Sequence, residues 1–325
     1  MEIGCGCVNL GSASNTGSLA EQVRLVHAAI DAGVNVFDTA DAYGCGTSEH
    51  VLGRALGSRR DGIVLSTKAG YVFRPRTVVE QRARRFALVG MTAVRRFRPG
   101  AAGTGAAPAV SGTAYSQQDF SAAHLQRALE NSLRRLRTDH VDVFQLHGPA
   151  RFHPTLLEDL DHLVQSGTVG RFGLGAETTD SAIDWAADER LGVVQMPFGV
   201  LDPETLEEVA PIAHGHDIDV WVRGVLAGGV LSAAMSDAGS VREHSKHDVI
   251  AGLLGVADES GVALDELALR WIAGRSEPQV MLIGMSSAAH VRRNVELARR
   301  GPLPRDVTRE IDRVIRPMNP RSPRP

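Results

Sequence analysis

The chain has 325 residues, 43% hydrophobic and 22% charged, with a formal net charge of −3. That is enough apolar material for one large core, and the near balance of charge argues against a nucleic-acid or membrane-surface partner. No apolar run approaches the roughly 18 residues of a spanning helix, and Met1-Glu2-Ile3-Gly4 opens no basic-then-apolar leader, so neither a membrane span nor a signal peptide is expected. The odd set of cysteines, Cys5, Cys7 and Cys45, speaks against a disulfide framework and for a reducing, cytoplasmic location.

Along the chain, short β-branched runs alternate with longer stretches whose apolar residues recur every three or four positions. A strand over Cys5–Val8 precedes a helix over Leu19–Ala32, and strands follow over Val34–Phe37 and Ile63–Ser66. A helix over Ala122–Leu136, with Leu125, Leu129, Leu133 and Leu136 on one face, leads to a strand over Val141–Leu146. Further helices are expected over Pro154–Gln165, Thr179–Ala187, Pro203–His214, Val249–Glu259 and Ala288–Ala298, and further strands over Arg171–Leu174, Gly192–Met196, Ile218–Val222 and Val280–Ile283. Val36-Phe37 and Val143-Phe144 read as buried on both faces, as parallel strands are. Eight such units predict an α/β chain folded as one (β/α)8 TIM barrel over residues 1–325. A doubly wound sheet would need an early glycine-rich dinucleotide loop, and Gly4-Cys5-Gly6 lacks its third glycine. Two long connections interrupt the barrel rhythm, the loop after strand three, 71–118, and a second over 224–247. The first has a Gly/Ala/Pro-rich middle that is expected to be mobile, and a C-terminal extension ends in a tail, 316–325, that is expected to fray.

In a barrel the chemistry lies at the C-terminal ends of the strands. Asp38 and Tyr43 follow strand two, Lys68 strand three and His147 strand four, so all four face one mouth. Carbonyl reduction by hydride needs a proton for the developing alkoxide, and a tyrosine, with a reference pKa of about 10, is helped by a nearby ammonium. A carboxylate holds that ammonium, and a histidine orients the substrate oxygen. Each residue alone has a plainer explanation: a turn-capping Asp, a solvated Lys, a satisfied His, a packed Tyr. Together, at adjacent strand ends, they point to a site. Cys5, Cys7, Cys45 and His50 match no zinc-ligand spacing, and no metal is expected.

The segment Asn35-Val36-Phe37-Asp38-Thr39-Ala40-Asp41-Ala42-Tyr43-Gly44, with Ser48-Glu49-His50-Val51-Leu52-Gly53, closely resembles the aldo-keto reductase signature. Ser66-Thr67-Lys68, Leu129–Leu136 with Leu146-His147, and Ile283-Gly284 with Val291–Asn294 resemble later motifs of that family in the same order. The resemblance implies an NADP-dependent oxidoreductase (NAD possible) acting on a small-molecule aldehyde or ketone, or on the matching alcohol. It makes Tyr43 the general acid/base, Lys68 and Asp38 its tuning pair, and His147 the carbonyl-orienting group. It puts Gln195 at the nicotinamide carboxamide and Arg223 either stacked on the ring or in a salt bridge at the barrel rim. Gly229 falls either at the pyrophosphate or in an ordinary turn. Ser286, Arg292, Arg293 and Asn294 fall at the adenosine end, where the arginines either reach a phosphate or remain solvated. Family members are often monomers, so a monomer or weak oligomer is expected.

The sequence departs from that family in places. Where a Ser-Asn pair usually holds the carboxamide, this chain has Ala176 and Glu177; Glu177 can accept a hydrogen bond but not donate one. The loop after strand three carries Arg74, Arg76, Arg82, Arg84, Arg85, Arg95, Arg96 and Arg98 with apolar residues between them. It reads as an amphipathic lid for an anionic substrate, as a solvated basic face, or as a partner-binding helix. Two other functions therefore stay open: a cofactor-binding barrel with a regulatory or redox-neutral role, and an interaction protein using the arginine-rich loop.

Overall fold

Eight parallel strands close into one barrel in chain order: β1 (Glu2–Gly6), β2 (Val36–Asp38), β3 (Val64–Ala69), β4 (Val141–His147), β5 (Val169–Gly175), β6 (Leu191–Pro197), β7 (Asp219–Arg223) and β8 (Val280–Gly284). The structure, a computed structural model, describes residues 1–11, 17–73, 117–149, 151–232, 246–284 and 286–316. The helices between strands are α1 (Leu19–Asp31), α2 (Thr47–Leu56), α3 (Ala122–Leu136), α4 (Leu156–Asp159), α5 (Asp161–Gln165), α6 (Thr179–Ala186), α7 (Glu204–Gly215), α8 (His247–Ser260) and α9 (Leu264–Ala273). After β8 come α10 (Ala288–Arg299) and α11 (Arg305–Ile315), and α11 is the expected C-terminal extension, packed on α8. Among the described residues no helix is long and apolar enough to cross a membrane.

Strand parity divides the barrel into a floor and a mouth. Val36, Val143, Val193, Trp221, Val280 and Leu282 form an inner apolar cluster, separate from the larger core between strands and helices. Side chains of one strand face the same way every second residue. Two residues beyond this cluster, the same inward rows carry Asp38 on β2, Gln145 on β4, Gln195 on β6 and Arg223 on β7. From Val64, two steps along β3 give Ser66 and then Lys68, and a second step along β4 gives His147. The N-terminal half of the barrel is thus dry, and its C-terminal half is polar.

Two strand boundaries, the start of β1 and the end of β3, differ most from the sequence expectation, and the others shift less. β1 begins at Glu2 because its ladder to β8 runs from Glu2 opposite Val280 to Gly6 opposite Gly284, which leaves Cys7 beyond the strand. β3 continues to Ala69 because Ser66 and Lys68 find polar partners inside the barrel, so the strand does not end where polarity begins. The expected helix over Pro154–Gln165 is divided at Leu160, and α2, α9 and α11 stand where no helix was assigned. Tyr71 and Gln118 pair as an antiparallel bridge at the base of the long loop. The loop arginines, the expected lid and all of the tail except Arg316 lie outside the described residues.

The signature after β2 also fastens helices to the barrel. Ser48 donates to the Cys7 carbonyl (3.0 Å) and shares a hydrogen bond with Thr39 (2.8 Å). Glu49, fully buried, accepts from the outward-facing Thr67 (2.6 Å) and from Arg135 Nε on α3 (2.6 Å). Gly53 lets α2 approach the end of α3 so closely that a Cβ there would lie 2.4 Å from the Arg135 carbonyl oxygen. Gly53→Ala is therefore expected to destabilise the fold by about 1–3 kcal/mol, the usual range for overpacking. Urea unfolding would register this as a lower midpoint at constant slope; an unshifted midpoint would mean that the two helices have slack between them.

Candidate active site

An ammonium buried in a barrel must be paired and hydrogen-bonded, since leaving it unpaired costs several kcal/mol. Lys68 is 1% exposed. Its Nζ forms a short ion pair with Asp38 Oδ2 and donates to the Thr39 carbonyl at 3.1 Å. The other oxygen of Asp38 accepts from Ser66 Oγ (3.1 Å) and Gln145 Nε2 (3.0 Å), so β2, β3 and β4 all contribute to holding the pair. Room for the lysine stem comes from β5, where a Cβ on Gly175 would lie 3.2 Å from Lys68 Cδ. Burial lowers the Lys68 ammonium below its usual range, and Asp38 offsets part of that shift.

Tyr43 lies in the turn after β2, its ring centroid 5.5 Å from Lys68 Nζ. The His147 ring meets it edge-on at 5.7 Å, and Tyr71 meets His147 edge-on from the loop side at 4.8 Å. Gln118, at the far end of that loop, donates its amide to the His147 carbonyl at 3.0 Å. Burial lowers the His147 imidazolium well below its ordinary value, with Lys68 and Arg223 pushing the same way. The ring is therefore neutral near pH 7, and its Nδ1 has no partner among the described residues.

The electrostatics of Tyr43 differ from the sequence expectation. Burial raises its phenol above the usual value near 10, Asp38 adds to the rise, and the cation that opposes it is Arg223. Glu177 adds to the rise as Asp38 does. In the chain alone the phenol is thus held protonated.

The residues expected around a nicotinamide fall into two groups. Gln195 is fully buried at the mouth, register-paired with Gly175 and Trp221, and both atoms of its amide lack partners among the described residues. Arg223, at the end of β7, donates Nη2 to the Ala176 carbonyl (2.8 Å) and pairs with Glu177 Oε1 (3.2 Å), the rim salt bridge that was one of its two sequence readings. The second group lies in the segments after β7 and β8. Gly229 closes a short 3-10 turn with φ +102°, a conformation that favours glycine. Ser286 is hydrogen-bonded to His290 Nδ1 (2.7 Å), Arg292 is exposed and Asn294 is buried on α10. Arg293 is held by Asp265 of α9 through two contacts, 2.9 and 3.1 Å, so it is not a free cation.

Sequence reasoning did not identify Ser66, Gln145, Tyr71 or Gln118 as parts of this arrangement, nor the pairing of Glu177 with Arg223. Ser66 stands two residues before Lys68, and Gln145 two before His147, so strand parity alone would have placed both inside. Cys5, Cys7 and Cys45 are buried and form no disulfide among the described residues, and burial pushes Cys5 up to about 12.

Known proteins share this architecture at about a quarter sequence identity. The profile described as the Aldo/keto reductase family matches residues 2–316. The oxidoreductase YqkF of Bacillus subtilis is 26% identical over 313 residues, spanning 91% of this chain and 87% of its own length. The 6-dehydroglucose reductase of Novosphingobium aromaticivorans is 27% identical over 307 residues, 87% of this chain and 82% of that protein. The solved aldo-keto reductase AKR11C1 of Bacillus halodurans, in its holo form, superimposes with a TM-score of 0.76 at 25% identity, covering 96% of this chain and 91% of the other. With the profile running from β1 through α11, over the buried lysine and the tyrosine turn alike, the chain belongs to the Aldo/keto reductase family.

Proposed function

We propose that the protein transfers hydride between NADP(H) and a small carbonyl compound, with Tyr43, His147, Lys68 and Asp38 as its chemical centre. The observation that carries this reading is the convergence of a protonated phenol and a neutral imidazole over a buried Asp38–Lys68 pair. Gln195 fits the cofactor: its amide offers one donor group and one acceptor, the complement of a carboxamide, and both lack partners among the described residues. Bound nicotinamide supplies the hydride. Tyr43 donates its hydroxyl proton to the oxygen that gains charge, and His147 hydrogen-bonds that oxygen and orients the carbonyl. Asp38 and Lys68 keep the floor of the site rigid and the ammonium in place beside the ring. Two relatives at 24–27% identity, 6-dehydroglucose reductase and D-threo-aldose 1-dehydrogenase, are named for this class of interconversion, which supports a carbonyl or alcohol substrate. We further propose a single barrel domain in which the 71–118 loop, rooted beside His147 by Tyr71 and Gln118, contributes to the substrate pocket.

The first test is a fluorescence titration of Tyr43→Phe and the unsubstituted protein with NADPH and with NADH, followed by turnover on a panel of aldehydes and ketones. The variant is expected to bind cofactor as tightly as the unsubstituted protein while losing about 10²–10⁴-fold in turnover, the usual contribution of a general acid. Near-normal turnover would remove Tyr43 from this role.

The raised phenol sets a direction. Reduction uses the protonated tyrosine, which is the populated form at every pH below its raised pKa; oxidation uses the phenolate, whose fraction grows about tenfold per pH unit up to that pKa. Between about pH 6 and pH 9, carbonyl reduction is expected to stay nearly flat and alcohol oxidation to rise steeply. A reduction rate that falls tenfold across this window would show a phenol with a lowered pKa instead.

A further inference from the structure

In the barrel β6 lies between β5 and β7, and the Arg223–Glu177 contact bridges the end of β6 from one side to the other. Glu177 is located from two directions. Its stem rests against Gly148, where a Cβ would come within 2.9 Å of Glu177 Cγ, and its carboxylate meets Arg223. Gly148 is itself fixed, donating its N–H to the Gly175 carbonyl (2.9 Å) and accepting from the Gln118 amide (3.1 Å). The bridge frames Gln195: the Ala176 N–H donates to the Gln195 carbonyl (2.8 Å), and the Gln195 side chain points its two unpartnered amide atoms into the same barrel end. Both charges reach the reacting centre, since Arg223 and Glu177 act on the Tyr43 phenol in opposite directions. With Glu177 54% exposed, the carboxylate remains accessible to a ligand entering the mouth.

A nicotinamide ring gains one positive charge when it gives up a hydride. Resting on the functional reading above, we propose that Glu177 sets the balance between the two oxidation states of the bound cofactor. Its carboxylate favours the cationic oxidised ring and offsets the opposite preference of the Arg223 guanidinium, which alone would favour the neutral reduced ring. A neutral residue at position 177 removes this compensation and leaves a cation at the mouth. The Ala176-Glu177 sequence is then a selective element, with Glu177 acting through charge where a neutral amide would act through hydrogen bonds.

The test compares equilibrium binding of NADP⁺ and NADPH, each measured by calorimetry, to the unsubstituted protein, Glu177→Gln and Glu177→Asp. Glutamine keeps an acceptor for Arg223 and removes the charge; aspartate keeps the charge on a shorter stem. The ratio Kd(NADP⁺)/Kd(NADPH) is expected to rise about two- to fivefold in Glu177→Gln, the range of one half-exposed charge contact, and to stay near the unsubstituted value in Glu177→Asp. A ratio that is unchanged or lower in Glu177→Gln, with both forms still bound, overturns the inference and leaves the functional reading standing. Failure of the folded, unsubstituted protein to bind either form overturns the functional reading, and the inference with it.

Discussion

The buried Lys68 ammonium is the constraint around which the C-terminal end of this barrel is organised. A charge 1% exposed in a protein interior needs an opposite charge and filled hydrogen bonds, and each requirement recruits a different strand. β2 supplies Asp38 and the Thr39 carbonyl, β3 supplies Ser66, β4 supplies Gln145, and β5 leaves room by placing Gly175 beside the lysine stem. Removing any one partner would leave a neighbour's donor or acceptor unmatched in a low-dielectric layer, where such a defect costs about 1–3 kcal/mol. The same packing that stabilises the pair therefore fixes the floor on which Tyr43 and His147 stand.

The charges that shift the phenol come from two depths of the barrel. Buried Asp38 raises it, part-exposed Arg223 opposes the rise, and Glu177 at the rim adds to it. A buried pair is insensitive to solvent, whereas a rim pair is screened and adjustable. The chain thus combines an invariable support with a charge balance that single substitutions at the rim can alter without disturbing the core.

The barrel was legible because hydrophobic runs of strand length alternate with helical periodicities, and because Asp38, Tyr43, Lys68 and His147 follow those runs at their C-terminal ends. Less legible were features that depend on facing partners. Polar Ser66 and Lys68 look like the end of a strand until Asp38 and Gln145 are seen opposite them, so β3 was read as too short. Helix α2 was hidden inside the signature, where Ser48 and Glu49 are buried polar residues satisfied by Thr39, Thr67 and Arg135, contacts that no single segment reveals. Arg293, open in the sequence between reaching a phosphate and remaining solvated, is held by Asp265, 28 residues away, a partner that no local pattern announces. The salt bridge of Arg223 was one of two open readings, but its partner lies two strands away and was not foreseeable from spacing.

The unpartnered polar atoms show where the fold stops optimising its own stability. Among the described residues the buried side-chain atoms without a partner include Gln145 Oε1, His147 Nδ1 and both amide atoms of Gln195, all on inward-facing rows of the barrel one or two steps beyond the apolar floor. Each such atom costs about 1–3 kcal/mol when left unmatched, and apolar residues of similar volume would avoid that loss. The floor of the barrel, from Val36 to Leu282, shows that this sequence does make that choice where nothing needs to bind. Polar atoms clustered above a dry floor, on strands already fixed by a buried ion pair, are therefore best understood as hydrogen-bonding capacity held open for a ligand. A rigid support lets the ligand meet those groups without first having to order them.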